Sequence, residues 1–481
     1  MRASIGRQAA AIGLLFALGG SAATYLAWPA RAQIAVENQG YVPYSDAPIY
    51  YRSRPLTDPV ALLEREIQAG KARLSYEQDR GYLKSLLKLL KIPVSSQTLV
   101  FSKTSFQYPK ISPEHPRALY FNDDVYVGSV HQGKALEIIS FDPMQGAIFY
   151  ILDENKVDKP TFQRAELDCT QCHIAASTRG VPGVMLRSVQ ATASGGLAPR
   201  AASFITDQKS PFKERWGGWY VTGQLAKGSM GNGIVADATP PKDPAAARQI
   251  RELTALPPAF APSAYLTSAS DDVALLVLAH QTQMHNLITL TNYQTRLALH
   301  ALAKTGAEPS ESAPTLGSLP EATRRQIERP AEQLLRYLLF VDEAPLGGQD
   351  ARKIIAGSAF AREFSKRGAR DSKGRSLRDF DLHDRTFRYP CSYLIYSEAF
   401  DALPEPAKGY VLSRLLQILS GQDQTADFAG LPAQDRQAIL SILLETKPGL
   451  PAEWTAYARS KGLRVAALTS GPRGRAPQLH Q

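Results

Sequence analysis

The chain has few cysteines and few long apolar segments for its length. Only three of its 481 residues are cysteine, which excludes a small scaffold held together by disulfides. A single uncharged apolar run, at 9–28, is long enough to cross a bilayer, so a polytopic membrane protein is excluded as well. The formal net charge of +10 is a modest excess for this length and does not indicate a nucleic-acid partner. The remaining composition, 44% hydrophobic and 21% charged, is typical of a globular protein.

The N-terminus has the features of a secretory signal peptide. Arg2 and Arg7 precede the apolar run, and a small-residue A-x-A sequence ending at Ala32 follows it. This order predicts a signal peptide at 1–32 with cleavage after Ala32, so N-terminal sequencing of the mature protein should start at Gln33. The same run is long enough to stay as an uncleaved anchor in the inner membrane. Both alternatives place the rest of the chain in the periplasm.

The pattern of the mature sequence predicts both sheet and helix. Asp58 before Pro59 is a typical helix start. A long helix is expected from a cap at Ser268 or Ser270 to about Lys304. Short β-branched and aromatic runs separated by turn sequences predict a β-meander. The meander covers 118–154, a further short strand is predicted at 217–223, and further helices are predicted at 80–91, 330–341 and 406–420.

One motif carries a specific chemistry. Cys169, Cys172 and His173 form C-x-x-C-H, in which two thiols can form thioethers with the vinyl groups of a porphyrin and the adjacent imidazole can bind the iron. A redox dithiol would require a thioredoxin-like context, and a zinc site would require a second ligand pair. Neither is present, since the only other cysteine is Cys391. The motif therefore predicts one covalently attached haem c with His173 as an axial ligand.

The sequence leaves the second axial ligand of the iron open. Met230 lies 57 positions after His173 in a glycine-rich loop and is the first choice. His280, Met284 and His285 fall close together on the predicted long helix and are the alternates. A thioether ligand would give a high-potential electron carrier, whereas an empty sixth position would indicate catalysis or gas binding at the iron.

Nine segments occur in one order along the chain. They are RALYFNDDVYV at 117–127, the C-x-x-C-H motif, TRGVPG at 178–183, RS at 187–188, RWGGWYVTG at 215–223, MGN at 230–232, HQ at 280–281, MHN at 284–286 and YPCSYLIYS at 389–397. Together they resemble a family of large exported bacterial single-haem proteins, described as cytochrome c domain-containing. The resemblance implies haem binding and export and no particular substrate. The chain departs from the family at Ser229, where relatives often have histidine.

These features predict an α+β protein in which a β-meander leads into a haem-binding segment and a mainly helical C-terminal half follows. The expected function is electron transfer by a c-type cytochrome to an unidentified periplasmic redox partner. No nucleic-acid partner is expected, and attachment to the membrane is expected only if the N-terminal run is uncleaved. The alternative is a haem-dependent oxidoreductase, peroxidase- or oxygenase-like, with an open distal iron site. The expected divisions after the signal peptide are 33–160 for the N-terminal helices and meander, 161–240 for the haem-binding segment, 241–306 for a Pro-rich passage and the long helix, 307–470 for a helical region, and 471–481 for a disordered tail.

Overall fold

The computed structural model describes residues 42–199, 201–235, 264–306, 314–423 and 425–465. These residues all belong to one unit of the chain. The predicted signal peptide, Pro-rich passage and C-terminal tail lie outside the described residues. Within the described residues, no helix combines the length and the apolar character that a membrane span requires.

An antiparallel sheet of seven strands dominates the N-terminal part. Its strand order is β6-β5-β4-β3-β2-β1-β9, and β7 and β8 form a separate two-stranded ribbon. The predicted meander is confirmed, because β2 to β5 pair with their sequence neighbours. The nine strands are β1 (Thr98–Val100), β2 (Arg117–Phe121), β3 (Val125–Ser129), β4 (Ala135–Asp142), β5 (Gly146–Asp153), β6 (Phe162–Arg164), β7 (Arg187–Val189), β8 (Ser203–Ile205) and β9 (Trp219–Tyr220).

Polar side chains and glycine form the turns of the meander. Between β2 and β3, the Asn122 side chain accepts a hydrogen bond from the Val125 amide at 2.9 Å. Between β4 and β5, the Asp142 carboxylate accepts from the Met144 amide at 2.9 Å, and Gly146 adopts a left-handed conformation with φ of 72°. Such local bonds replace the ladder bonds that a reversing chain loses.

Helices make up most of the C-terminal half, which confirms the α+β class. The N-terminal cap at Asp58 is also confirmed, since its carboxylate accepts from the Val60 amide at 3.0 Å. The helix predicted at 330–341 starts earlier, at Glu321, and contains Pro330 in its interior. The helices are α1 (Pro59–Gln68), α2 (Leu83–Leu89), α3 (Glu166–His173), α4 (Asp272–Lys304), α5 (Glu321–Leu338), α6 (Ala351–Gly357), α7 (Ala359–Phe364), α8 (Glu398–Asp401), α9 (Glu405–Leu419), α10 (Ala426–Ala429), α11 (Ala433–Thr446) and α12 (Ala452–Ser460).

The cap of α4 differs from the expectation. Neither Ser268 nor Ser270 caps the helix; the Asp271 carboxylate accepts from the amides of the first turn. Ser270 instead joins the helix start to the sheet, because its hydroxyl donates to the Tyr220 carbonyl at 2.6 Å and accepts from the Leu99 amide at 2.9 Å. A carboxylate is a strong cap, which leaves the serine available for this tertiary role.

The sheet is buried on both faces, which explains its continuous apolar strands. One face, with Phe121, Tyr126 and Phe149, belongs to a core that includes most of α4 and the C-terminal helices. The other face, with Tyr120 and Ile138, belongs to a second core that includes α1 and α2. Helix α4 is buried around almost its whole circumference. The sheet and α4 therefore form the frame on which the C-x-x-C-H segment rests.

Candidate haem-attachment site

The C-x-x-C-H motif occupies the end of helix α3, which directly follows strand β6. Cys169 and Cys172 are three positions apart in this helix and so share a face. Cys169 is partly buried against the core, whereas Cys172 is exposed. None of the three cysteines forms a disulfide. Both thiols are thus in the arrangement that thioether formation requires.

The first turn of α3 is fixed by the N-terminal segment of the described chain. Arg52 forms a 2.6 Å ion pair with Glu166 in this turn. Arg164, just before the helix, donates to the Tyr51 carbonyl at 2.6 Å and lies over the Tyr51 ring at 4.8 Å. These contacts hold the motif helix against the end of the sheet.

One hydrogen bond orients the imidazole of His173. Its Nδ1 lies 2.9 Å from the Gly183 carbonyl oxygen. Because a carbonyl can only accept, Nδ1 carries the proton and Nε2 keeps its lone pair. Burial lowers the pKa of His173, so the ring is neutral at neutral pH. The Phe149 ring packs beside it, with centroids 5.1 Å apart. A neutral imidazole with a fixed Nδ1–H and a free Nε2 is the form that binds iron.

Helix α4 holds the Gly183 carbonyl in place. The Asn286 side chain accepts from the Val184 amide at 2.9 Å and donates to the Val184 carbonyl at 2.7 Å. A Cβ atom on Gly183 would lie 2.1 Å from Asn286 Oδ1, so only glycine fits at this close approach. The Gly183 amide also donates to the His173 carbonyl at 3.0 Å. Asn286 therefore positions His173 through the 183–184 backbone.

The turn after the motif is equally fixed. The Thr178 hydroxyl donates to the His173 carbonyl at 3.2 Å and accepts from the Ala175 amide at 3.0 Å. From α4, Gln283 donates to the Ser177 carbonyl at 3.1 Å. Sequence reasoning assigned no role to Thr178, Gly183 or Asn286, although all three lie within segments that carry the family resemblance. A buried asparagine in an apolar helix was the signal that could have identified this contact.

Met230 and His173 contact different residues. Its sulfur is 3.9 Å from the Ser188 hydroxyl, and its amide donates to the Arg215 carbonyl at 2.9 Å. The side chain is buried, and Gly228 before it has a φ of 82°. No hydrogen bond or ring contact joins this group directly to His173 in the part of the chain that is described. The role of Met230 as sixth ligand stays a prediction.

The three alternate ligands on α4 differ in which atoms remain available. Both ring nitrogens of His280 are committed, to Gln208 Oε1 at 2.6 Å and to the Ser392 hydroxyl at 2.7 Å. Met284 is fully buried in the core. His285 bonds the Tyr126 hydroxyl through Nδ1 at 3.0 Å, while its buried Nε2 has no hydrogen-bond partner.

Burial also decides the charge of the two α4 histidines. It lowers the pKa of His280 and of His285 to about 3, so both rings are neutral at physiological pH. For His285, Asp123 works in the opposite direction without cancelling the effect. Of the two histidines, only His285 keeps an uncommitted nitrogen for a ligand.

The residues present fit a covalently bound haem. Two thiols share one helix face, and a neutral imidazole beside them has its Nδ1 proton already bound. His285 on α4 also has a buried Nε2 without a hydrogen-bond partner, one of fifteen such side-chain atoms among the described residues.

Among the described residues, no group of three or more His, Cys, Asp or Glu side chains is arranged to hold a metal ion. Comparison with family models, with curated protein sequences and with solved structures finds no match to this chain.

Proposed function

We propose that the chain is an exported c-type cytochrome that binds one haem covalently through Cys169 and Cys172 and transfers electrons in the periplasm. The observation that carries the proposal is the 2.9 Å hydrogen bond from His173 Nδ1 to the Gly183 carbonyl beside these two thiols. A redox dithiol has no need of an oriented, neutral imidazole, and a zinc site would need further ligands that the described residues do not group around the motif. A haem needs such an imidazole, because the ring must meet the iron through Nε2.

When bound, haem supplies one-electron redox chemistry at its iron. The chain's own contribution is attachment, orientation and electronic tuning. A hydrogen bond from Nδ1–H to a carbonyl makes the imidazole more basic at Nε2, which favours the oxidised iron. The buried thioether of Met230 would act in the opposite direction as the sixth ligand. The Nδ1–H hydrogen bond of His173 and the Met230 thioether would therefore shift the redox potential in opposite directions.

The exposure of α3 supports electron transfer rather than a sealed catalytic chamber. Cys172 is exposed, and Leu167 in the same helix exposes 70% of its surface. The porphyrin edge attached at Cys172 would accordingly lie near the protein surface, where a redox partner can approach. Leu167 is exposed elsewhere on the same helix and is suited to an apolar contact with that partner.

Haem staining of the exported protein on a denaturing gel tests attachment. The wild-type protein should stain and should exceed the apoprotein mass by one haem, whereas Cys169→Ser and Cys172→Ser should stain weakly or not at all. Cys391→Ser is the matched control, since this buried cysteine lies outside the motif and should leave staining unchanged. A wild-type protein with bound zinc and no Soret band would contradict the proposal.

Carbon monoxide distinguishes electron transfer from catalysis. A six-coordinate ferrous haem has no open position, so its spectrum should not change when the gas is added. Rapid carbon monoxide binding by the wild-type protein would mean that the distal site is open. In that case the haem-dependent oxidoreductase replaces the electron carrier as the proposed function.

A further inference from the structure

A cationic groove lies between the loop at 371–389 and the last helices of the described chain. Its volume is about 1070 Å³, close to the upper end of the range for sites that hold a small organic molecule. One wall belongs to the loop, and the other belongs mainly to α11 and α12. The C-x-x-C-H segment does not line it. The basic lining residues are Lys373, Arg375, Arg385, Arg388, Arg436 and Lys461, and the acidic ones are Asp381 and Asp435.

Two of the six cations are paired with carboxylates. Arg375 forms a 2.6 Å ion pair with Asp371, and Arg385 forms one of 2.7 Å with Asp435. A second guanidinium nitrogen of Arg385 donates to the Arg388 carbonyl at 2.8 Å. Because Asp435 lies in the first turn of α11, its ion pair joins the loop to that helix. These pairs stabilise the walls and add no net charge to the groove.

The other four cations have no ion pair with a carboxylate of the described residues. Lys373, Arg388 and Lys461 are exposed. Arg436 is half-buried and donates to the Leu431 carbonyl at 3.0 Å, which orients the guanidinium without neutralising it. The four come from the loop, from α11 and from the end of α12, so both walls carry positive charge.

Asp381 supplies the remaining negative charge of the lining. Its carboxylate accepts from the amides of His383 and Asp384 at 3.0 Å and 2.9 Å, so it is committed to its own turn. Tyr389 and, to a smaller extent, nearby carboxylates raise the pKa of Arg388, but none of these carboxylates lies within ion-pair distance. The four unpaired cations therefore exceed this carboxylate by three charges.

The base of the groove is apolar and aromatic. Leu419 is buried there, and Tyr457 of α12 is half-buried. The guanidinium carbons of Arg375 and Arg388 lie 6.0 Å and 5.9 Å from the centroid of the Tyr389 ring, which is also buried. A cleft with walls of low dielectric and charge of one sign focuses the electric field and concentrates counter-ions. The shape of the groove and its charge thus favour the same kind of ligand, an anion.

We propose that this groove binds a small molecule with two phosphate groups, free or esterified. Each phosphate group carries about −1.5 to −2 charges near pH 7, so two of them match the excess of positive charge. A dicarboxylate of similar size carries only about two charges. The guanidinium groups of Arg388 and Arg436 have the fork geometry that binds phosphate oxygens. The proposal is independent of the haem assignment and gives the chain a second binding site.

Isothermal titration calorimetry of the full-length exported protein, in 0.15 M NaCl, tests the proposal. Pyrophosphate and ADP are the two probes, because both carry two linked phosphate groups and only ADP adds an organic body. Saturable binding of pyrophosphate would support recognition of the phosphate groups themselves. Binding of ADP with a clearly higher affinity would support an esterified ligand whose body contacts the tyrosines. Succinate should bind at least tenfold more weakly, and equal affinities for succinate and pyrophosphate would overturn the choice of phosphate.

Two variants, one from each wall, test the location of the site. Arg388→Gln and Lys461→Gln should each weaken pyrophosphate binding about tenfold, the usual effect of losing one charge-assisted hydrogen bond. Lys71→Gln is the matched control, since Lys71 is exposed, does not line the groove and loses the same charge. Equal affinities in all three variants would show unspecific attraction to the net charge and would overturn the proposal.

Arg388→Lys keeps the test decisive if Arg388→Gln does not fold. It retains the charge and removes the fork, so its affinity should fall between those of the wild-type protein and Lys461→Gln. Absence of binding by both probes at millimolar concentration would overturn the proposal. So would binding of poly-L-glutamate without binding of either probe, because the groove would then fit an acidic protein partner instead. Haem staining reports separately on the proposed function, and none of these results depends on it.

Discussion

Replacement of Gly183 by alanine tests the link between helix α4 and His173. A Cβ atom at this position would lie 2.1 Å from Asn286 Oδ1 and 2.9 Å from Asn286 Cγ. The Asn286 side chain must then move, and it is completely buried. Its two hydrogen bonds to Val184 are lost, and no water can replace them.

The expected cost follows from these two bonds. Each intramolecular hydrogen bond contributes about 1 kcal/mol net, and a buried polar group left unpaired costs about 1–3 kcal/mol. Gly183→Ala should therefore lower the free energy of unfolding by about 2–6 kcal/mol. Urea denaturation followed by tryptophan fluorescence measures this change. Trp216 and Trp219 are buried in the core that contains Val184, so their emission reports on this region.

A double-mutant cycle with Asn286→Ala isolates the cause. Without the asparagine amide only the 3.1 Å approach to Thr178 Cβ remains, so Gly183→Ala should cost clearly less in that background than in the wild-type protein. Gly357→Ala is the control, because no atom lies within 4 Å of a Cβ at that position, and it should cause no loss. Additive effects of the Gly183 and Asn286 changes would refute the idea that the two residues form one unit.

Three further predictions concern other parts of the molecule. Met230→Ala should abolish the weak sulfur-to-iron absorption band of the ferric protein, lower its redox potential and allow carbon monoxide to bind. Met284→Ala should have none of these effects. The reverse result would assign the sixth iron ligand to Met284 on α4. His280→Leu should leave the Soret band unchanged but cost about 2–5 kcal/mol in denaturation, since two buried partners lose their bonds; a spectral change would contradict the assignment of its nitrogens. Burial and Asp271 raise the pKa of Asp272 to about 7. The folded protein therefore favours the protonated carboxyl, and the stability that protonated Asp272 contributes is full below pH 4 and is lost as the pH rises to 7. Asp272→Asn should reduce this loss of stability with pH by up to about 1.4 kcal/mol per pH unit. Denaturant midpoints measured from pH 4 to 8 check this. An unchanged slope of stability against pH would exclude Asp272 as the source of the loss.

Local sequence signals predicted much of the fold. The meander, the Asp58 cap and the C-terminal end of the long helix at Lys304 depend on neighbouring residues only, and the structure confirms them. The cap of α4 was misplaced by one position, because Ser270 and Asp271 are both good caps and only the contact of Ser270 with strand β9 decides between them. Pro330 suggested a helix start, but burial against α4 and α9 outweighs its missing hydrogen bond.

The candidate site was predictable only where its residues are adjacent in sequence. The C-x-x-C-H motif consists of five consecutive residues, so it can be recognised from the sequence alone, and its spacing predicts haem attachment. The bond between Asn286 and Val184 joins residues 102 positions apart, and no local pattern predicts such a pairing. Likewise, only the tertiary structure shows that both nitrogens of His280 are committed while one nitrogen of His285 is not.

The dependence of the 183–184 backbone on α4 has a consequence for the order of events during synthesis. A chain grows from its N-terminus, so the C-x-x-C-H segment emerges more than a hundred residues before Asn286. The Leu99 amide of strand β1 meets its acceptor even later, since it bonds the Ser270 hydroxyl, 171 positions further along the chain. Until α4 docks, the Gly183 carbonyl and His173 are joined only by local bonds of the 173–183 segment, without the support of Asn286. Under the proposed function, the two thiols would be available before Asn286 supports the segment that orients His173, and the covalent and the coordinate attachment of the haem would be separate steps in time.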